Sequence, residues 1–182
     1  MTLPRPQLHM TCPLNQLPDD PLPRGCSVRT LTRADLPVWV ALLNRNGELG
    51  SWSAERAETL FDDPTRLTLD ASVFITLDGE PVATAQLNPH ATDAYAPRHE
   101  LGWVAVDPAY RGRGFGRTAC LAVMRLAAAR EIDELFLKTD DHRIPAIRTY
   151  LRLGFRPWPR DPTSPERWRI ALAATGLPPG AS

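Results

Sequence analysis

Glu100-Leu-Gly-Trp-Val-Ala-Val-Asp-Pro-Ala-Tyr-Arg-Gly-Arg-Gly-Phe-Gly-Arg117 packs a strand, a glycine-rich turn and a helix start into one run, and the chain is organised around it. Leu101 to Val106 is a short apolar stretch with valines and a tryptophan, which predicts a strand buried on both faces. Asp107-Pro108 ends it, because proline brings no amide hydrogen to a ladder. Gly112, Gly114 and Gly116 then alternate with Arg111, Arg113, Phe115 and Arg117. From Thr118 to Ala129 the chain is helix-forming with almost no polar interruption, so a helix begins at the glycines. The first turn of a helix exposes unpaired amides at the positive end of its dipole, and glycine lets an anion approach them. Neighbouring arginines add fixed charge for phosphate oxygens. Together these features predict a pyrophosphate cradle over Arg111 to Arg117.

Two other phosphate-binding turns fit less well. A P-loop requires Gly-Lys-Ser/Thr, and Gly116 is followed by Arg117-Thr118. A dinucleotide fingerprint needs its third glycine one place later and its turn directly after the strand, whereas Asp107 to Tyr110 intervene. The plainer alternative is a loop whose glycines only permit positive φ.

Val106-Asp-Pro-x-x-Arg111-Gly-x-Gly-x-Gly116 resembles the acyl-CoA signature of the GNAT superfamily of N-acetyltransferases, and Ala146 to Phe155 is similar to that family's downstream Ala-x-x-x-Tyr-x-x-x-Gly-Phe segment. The resemblance is close from His99 to Trp158, looser over Ser27 to Leu172, and absent from the N-terminal tail. It implies an α/β fold of GNAT type: a mixed, strongly twisted sheet of about six or seven strands with helices on both faces. The expected organisation is a proline-rich extension over 1–25, a GNAT domain over 26–174 and a tail over 175–182.

At 182 residues the chain is long enough for one self-sufficient core. Lys plus Arg and Asp plus Glu balance at 21 each, so net charge favours neither nucleic acid nor an anionic membrane as partner. Cys12, Cys26 and Cys120 are widely spaced and show neither a disulfide framework nor a zinc ribbon. No apolar run approaches the roughly 18 residues of a spanning helix, and prolines stand where a signal peptide needs an apolar core. A soluble, cytoplasmic protein is the expectation.

Pro4, Pro6, Pro13, Pro18, Pro21 and Pro23 forbid a helix in the N-terminal segment. It reads either as a disordered tail or as an arm along the sheet or a partner subunit, with Leu8, Met10, Leu14 and Leu17 as its apolar contacts. Cys26 to Leu31 predicts the first strand, and Thr32 with Asp35 opens a helix from Arg33 to about Asn44. Ser53 caps a second helix to about Phe61. Ser72 to Leu77 and Pro81 to Leu87 flank Asp78-Gly79 as a hairpin. Asn88 to Arg98 reads as a loop. Ala119, Cys120, Val123, Leu126 and Ala127 form the core stripe of the central helix. Ile132 to Lys138 predicts a strand parallel to the central one. Asp140, Asp141 and His142 are better explained as helix caps than as metal ligands, so no metal is expected. A helix from about Arg143 to Leu151 ends at Gly154, Phe155 starts a strand, Arg167 to Leu172 makes the last one, and the Pro-Pro-Gly end frays.

By resemblance, acetyl-CoA is the acyl donor. Its diphosphate would sit on Arg111, Gly112, Arg113, Gly114, Phe115, Gly116 and Arg117. Its pantetheine arm would run between the two parallel strands, along Val104, Ala105 and Val106, with Gly102 marking a bulge where they splay. Arg143 stands where the family usually has an asparagine, and can reach a phosphate instead. An alkyl amine titrates near about 10.4, so it must lose a proton before attack. Glu100 matches the catalytic glutamate of several family members, and burial beside an apolar strand would tune it as a base. Its alternative is a strand-end carboxylate paired with His99 or an arginine. Tyr150 matches the family tyrosine that donates a proton or hydrogen bond to the departing thiolate, and a central-strand amide, that of Val104, would stabilise the oxyanion. Asn44, Asn46, Glu48, Trp52 and Trp103 are candidate acceptor contacts. Solvated turn residues, with Trp52 in the core, are the simpler alternative.

The implied function is acetyl transfer from CoA to a primary amine of a small molecule or peptide, with homodimerisation common in the family. An inactive acyl-CoA sensor is the second reading, opposed by the presence of both Glu100 and Tyr150. Nucleic-acid binding lacks the repeated Arg-Gly units and surplus charge it needs. The acceptor stays open among polyamine, aminoglycoside, amino acid, thiol-cofactor precursor and protein N-terminus.

Overall fold

A computed structural model describes the backbone of residues 6–63, 65–90 and 98–178. Seven strands form one mixed sheet in the order β2-β3-β4-β5-β6-β1-β7. These are β1 (Leu8–Pro13), β2 (Cys26–Thr30), β3 (Ser72–Leu77), β4 (Glu80–His90), β5 (Arg98–Val106), β6 (Glu134–Thr139) and β7 (Arg156–Pro157). All neighbours are antiparallel except β5 and β6. Five helices cover both faces: α1 (Leu36–Asn46), α2 (Ala54–Phe61), α3 (Phe115–Ala129), α4 (Ile144–Arg152) and α5 (Ser164–Thr175). The sheet count and the helix-covered faces agree with the expected α/β class.

Each face has its own core. Ala119, Cys120, Val123, Met124 and Ala127 of α3 lie on Ala83, Ala85, Leu87, Leu101 and Leu137, and α4 and α5 add Ile147, Tyr150 and Trp168. On the opposite face Trp39, Trp52, Phe61 and Phe74 close under α1 and α2, with Trp39 stacked edge-on to Trp52 and Phe61, both at 5.2 Å. Local sequence sets the helix ends. Asp35 accepts from both the amide and the hydroxyl of Thr32 at 2.8 Å, and the Arg29 guanidinium holds its carboxyl below the usual range. The first turn there is a short 3-10 segment, so α1 starts at Leu36 and runs to Asn46, where Gly47 takes the left-handed conformation. Ser53 accepts from Arg56 N at 3.1 Å and starts α2.

Of the two readings of the N-terminal segment the arm along the sheet is the one found, and the chain departs from its sequence reading at two other places. The N-terminal segment contributes an inner strand, β1, paired to β6 on one side and β7 on the other, with Leu8 and Met10 fully buried. Arg167 to Leu172 is not a strand but the middle of α5. Arg167-Trp-Arg-Ile alternates like a strand, yet buried Trp168, Ala171 and Thr175 repeat at helical spacing while Ile170 is 57% exposed. Pro165 in the first turn and left-handed Gly176 after the last bound this helix. The loop expected over Asn88 to Arg98 is shorter, because β4 continues to His90 and β5 begins at Arg98; residues 91–97 lie outside the described residues, as do 179–182 of the C-terminal tail.

Candidate active site

The site begins where β5 stops pairing with β6. The parallel register holds only for His99 with Leu135 and Glu100 with Phe136, after which the strands diverge. On the other side of β5 the register with β4 slips: Thr84 faces Ala105 and Gln86 faces Gly102, so Trp103 and Val104 together oppose Ala85. The bulge thus lies one residue beyond Gly102, at Trp103, whose φ is +52°. Gly102 has a different reason to be glycine: a Cβ there would stand 2.4 Å from the Asn88 amide nitrogen. The extra residue also changes which face the later side chains meet. Leu101 belongs to the core under α3, Ala105 to the opposite core, and Val104 and Val106 return to the α3 side, half-buried rather than closed in.

A cavity of about 740 Å³ opens along that edge, lined by Val104 and Val106, by Arg111, Gly112, Gly114, Phe115 and Gly116 at its α3 end, and by Cys120, Arg143, Ala146 and Tyr150. Gly112 and Gly114 have φ of +75° and +85°, and no other atom lies within 4 Å of where their Cβ atoms would be, so open space stands over this turn. Gly116 lies close to Val106, whose Cγ2 would be 3.3 Å from an added Cβ. Thr118 is the first α3 amide to find a carbonyl, that of Gly114 at 3.0 Å, and among the described residues the amides of Phe115 to Arg117 have no carbonyl partner. The arginines around them are individually held. Arg111 Nη2 donates to the Asn46 carbonyl at 2.7 Å, Arg113 lies over the Tyr110 and Phe115 rings, and Arg117 Nε donates to Asp20 at 2.7 Å.

The structure separates the two expected catalytic side chains. Tyr150 lines the cavity, and burial pushes its phenol well above the ordinary value, with the charge of Arg143 acting in the opposite direction. Glu100 does not line it. It stands at the last paired position of β5 on the other face of the sheet, roughly 13 Å of strand before Val104. Its surroundings are charged rather than purely apolar: His90 Nε2 contacts its carboxylate, and Lys138 Nζ lies 4.0 Å away. The sequence reading offered His99 or an arginine as the partner of this carboxylate; the neighbours found are His90, which continues the β4 register opposite the start of β5, and Lys138. Beyond Glu100 β5 and β6 are no longer paired.

The remaining candidates divide. Glu48 and Asn46 line the cavity: Glu48 Oε2 is 2.9 Å from Arg143 Nε, and Asn46 Nδ2 donates to the Val106 carbonyl at 3.1 Å. Asn44 does not; its amide brackets the backbone of Trp52 with bonds of 2.9 and 2.8 Å. Trp52 is a core residue, and Trp103 packs edge-on against it at 4.8 Å. Ala105 offers only backbone, its side chain being buried under α1. Cys120, read as an apolar filler, lines the cavity floor, and burial raises its thiol to about 12. Asp141 is engaged by Arg167, and among the described residues no group of three or more His, Cys, Asp or Glu is placed to hold a metal ion.

Residues 32–155 match the model of the acetyltransferase (GNAT) family. Among curated proteins the chain is 34% identical over 171 residues to mycothiol acetyltransferase of Thermobispora bispora, covering 88% of this chain and 57% of that protein. It is 31% identical over 165 residues to the enzyme of that name from Acidothermus cellulolyticus, covering 80% and 49%. The chain therefore spans about half the length of these relatives. Among solved structures, a GCN5-related N-acetyltransferase from Sphaerobacter thermophilus superposes with a TM-score of 0.65 at 22% identity, covering 85% of this chain and 50% of that one. AAC(6')-Iy, in complex with a bisubstrate analogue of CoA, gives 0.62 at 20%, covering 75% and 94%.

Proposed function

Because the chain belongs to the acetyltransferase (GNAT) family, we propose that it transfers an acetyl group from acetyl-CoA to the primary amine of a small molecule related to mycothiol. The observation that carries this reading is the row of open amides from Phe115 to Arg117 at one end of a cavity whose other end holds Tyr150. The names of the relatives favour a small acceptor over a peptide.

In this reading the open turn over Gly112 and Gly114 fits a diphosphate, which the amides of Phe115, Gly116 and Arg117 would receive. The edge of β5 beyond Glu100, unpaired on its β6 side, supplies backbone groups for the pantetheine amides at Val104. Glu100 removes a proton from the acceptor ammonium, directly or through water, and the freed lone pair attacks across the gap between the strands. Tyr150 donates a hydrogen bond to the sulfur as it departs. Thiol release from acetyl-CoA, followed against polyamines, aminoglycosides, amino acids and mycothiol-related amines, tests the assignment. Turnover with one amine class supports it; CoA binding with no turnover by any amine makes the protein a sensor instead.

A further inference from the structure

We propose that Arg143 is the cation that stabilises the leaving thiolate of the acyl donor, and that Glu48 is the counter-ion that aims it; this rests on the acetyltransferase reading above. Arg143 is the N-cap residue of α4, and Tyr150 follows two helical turns later on the same side, so both face the cavity. The Arg143 side chain is only 11% exposed. Its Nε lies 2.9 Å from Glu48 Oε2, but off the N–H direction, so this sealed donor has no hydrogen-bond acceptor. A guanidinium this buried is seldom left with an unanswered donor, and the Arg143 side chain lines the cavity, so its charge acts there although Nε itself is closed off.

The chemistry shows what that charge can serve. Glu100 takes the first ammonium proton before attack; as the neutral amine adds, a C–N bond forms, the nitrogen's second proton passes through water to solvent, the C–S bond breaks, and its electron pair stays on sulfur. A thiol titrates near about 8.5 and a phenol near about 10, so proton transfer from Tyr150 to the thiolate runs uphill. Burial of Tyr150 makes it more so. Tyr150 therefore donates a hydrogen bond and keeps its proton, and the negative charge needs a cation that cannot lose its own. The charged or titratable groups lining this cavity are Glu48 from the turn after α1, Tyr110 and Arg111 from the turn after β5, Arg117 and Cys120 from α3, and His142, Arg143, Arg148, Tyr150 and Arg152 around α4; of the arginines, Arg143 is the one paired with Glu48 at 2.9 Å and 11% exposed.

Absorbance of the CoA thiolate, followed against pH in the bound state, tests the assignment without turnover. In the wild-type complex the thiol should titrate at least about one pH unit lower than in Arg143→Met, a tenfold change in the equilibrium. Arg143→Lys should keep much of the depression. Glu48→Gln, at a half-exposed position that the fold tolerates, should lower the thiol further. Equal titration in wild type and Arg143→Met, even with weaker CoA binding, overturns the role and makes Arg143 a phosphate grip. An unchanged titration in Glu48→Gln removes Glu48 as counter-ion. Failure of the wild-type protein to bind CoA at all would overturn the acetyltransferase reading, and the proposal with it.

Discussion

The centre of the sheet and one end of it are built on opposite terms. At the β5–α3 junction everything that matters is contiguous in sequence and left incomplete: a strand that loses its partner after Glu100, glycines at positive φ and helix amides without carbonyls. At the far end, β1 comes from the start of the chain, pairs on both edges, and buries Leu8, Met10 and Cys12 against α3 and α4. Unsatisfied groups are where a ligand finds binding free energy, and satisfied ones are where a fold finds stability. Under the proposed function, binding and catalysis would be concentrated at the centre of the sheet and cohesion at its β1 end.

Substitutions can break that division. The largest expected effect is chemical: Glu100→Gln should lower kcat/KM by about 100-fold to 10,000-fold, while the unfolding free energy changes by about 1 kcal/mol or less. Steady-state kinetics beside urea denaturation would check both halves, and a large stability loss would mean that the His90 and Lys138 contacts serve the fold instead. Met10→Ala should do the reverse, costing about 2–5 kcal/mol in urea unfolding and leaving the CoA affinity of the folded protein unchanged. A CoA dissociation constant that moved with it would join the two regions energetically. Gly114→Val puts a side chain at φ +85° in the open turn and should weaken CoA binding about tenfold or more by calorimetry, with about 1–2 kcal/mol of backbone strain. Last, Ile170→Glu should shift stability by no more than about 0.5 kcal/mol, because Ile170 lies on the exposed side of α5. A loss of several kcal/mol there would restore the strand that the alternation of Arg167 to Ile170 suggested.

The same contrast explains what could be read from sequence. The cradle, the hairpin at Asp78-Gly79 and the caps at Thr32 and Ser53 depend on residues a few positions apart, and their local chemistry is visible in the sequence. Pairings at long range are not. Nothing in Leu8-His-Met-Thr-Cys-Pro13 names β6 and β7 as its neighbours, and the strand-like alternation of Arg167 to Ile170 conceals a helical face whose reference is α4. In the site, the turn and Tyr150 were legible because they lie in motifs. The placement of Glu100 on the opposite face, and its contacts with His90 and Lys138, depend on strand register across the sheet. Trp52 and Asn44 looked like acceptor contacts because turns are where binding residues gather; here they fasten the turn itself.

The origin of β1 also sets an order of events during synthesis. Thr11 and its partner Glu134 are 123 residues apart, and β7 follows later still. β1 must therefore wait for the chain through β6 and β7 before it can find its place. Until then it leaves the ribosome as an apolar segment with no ladder to join, so closure of the sheet is a late step and the nascent chain is most exposed to aggregation before it.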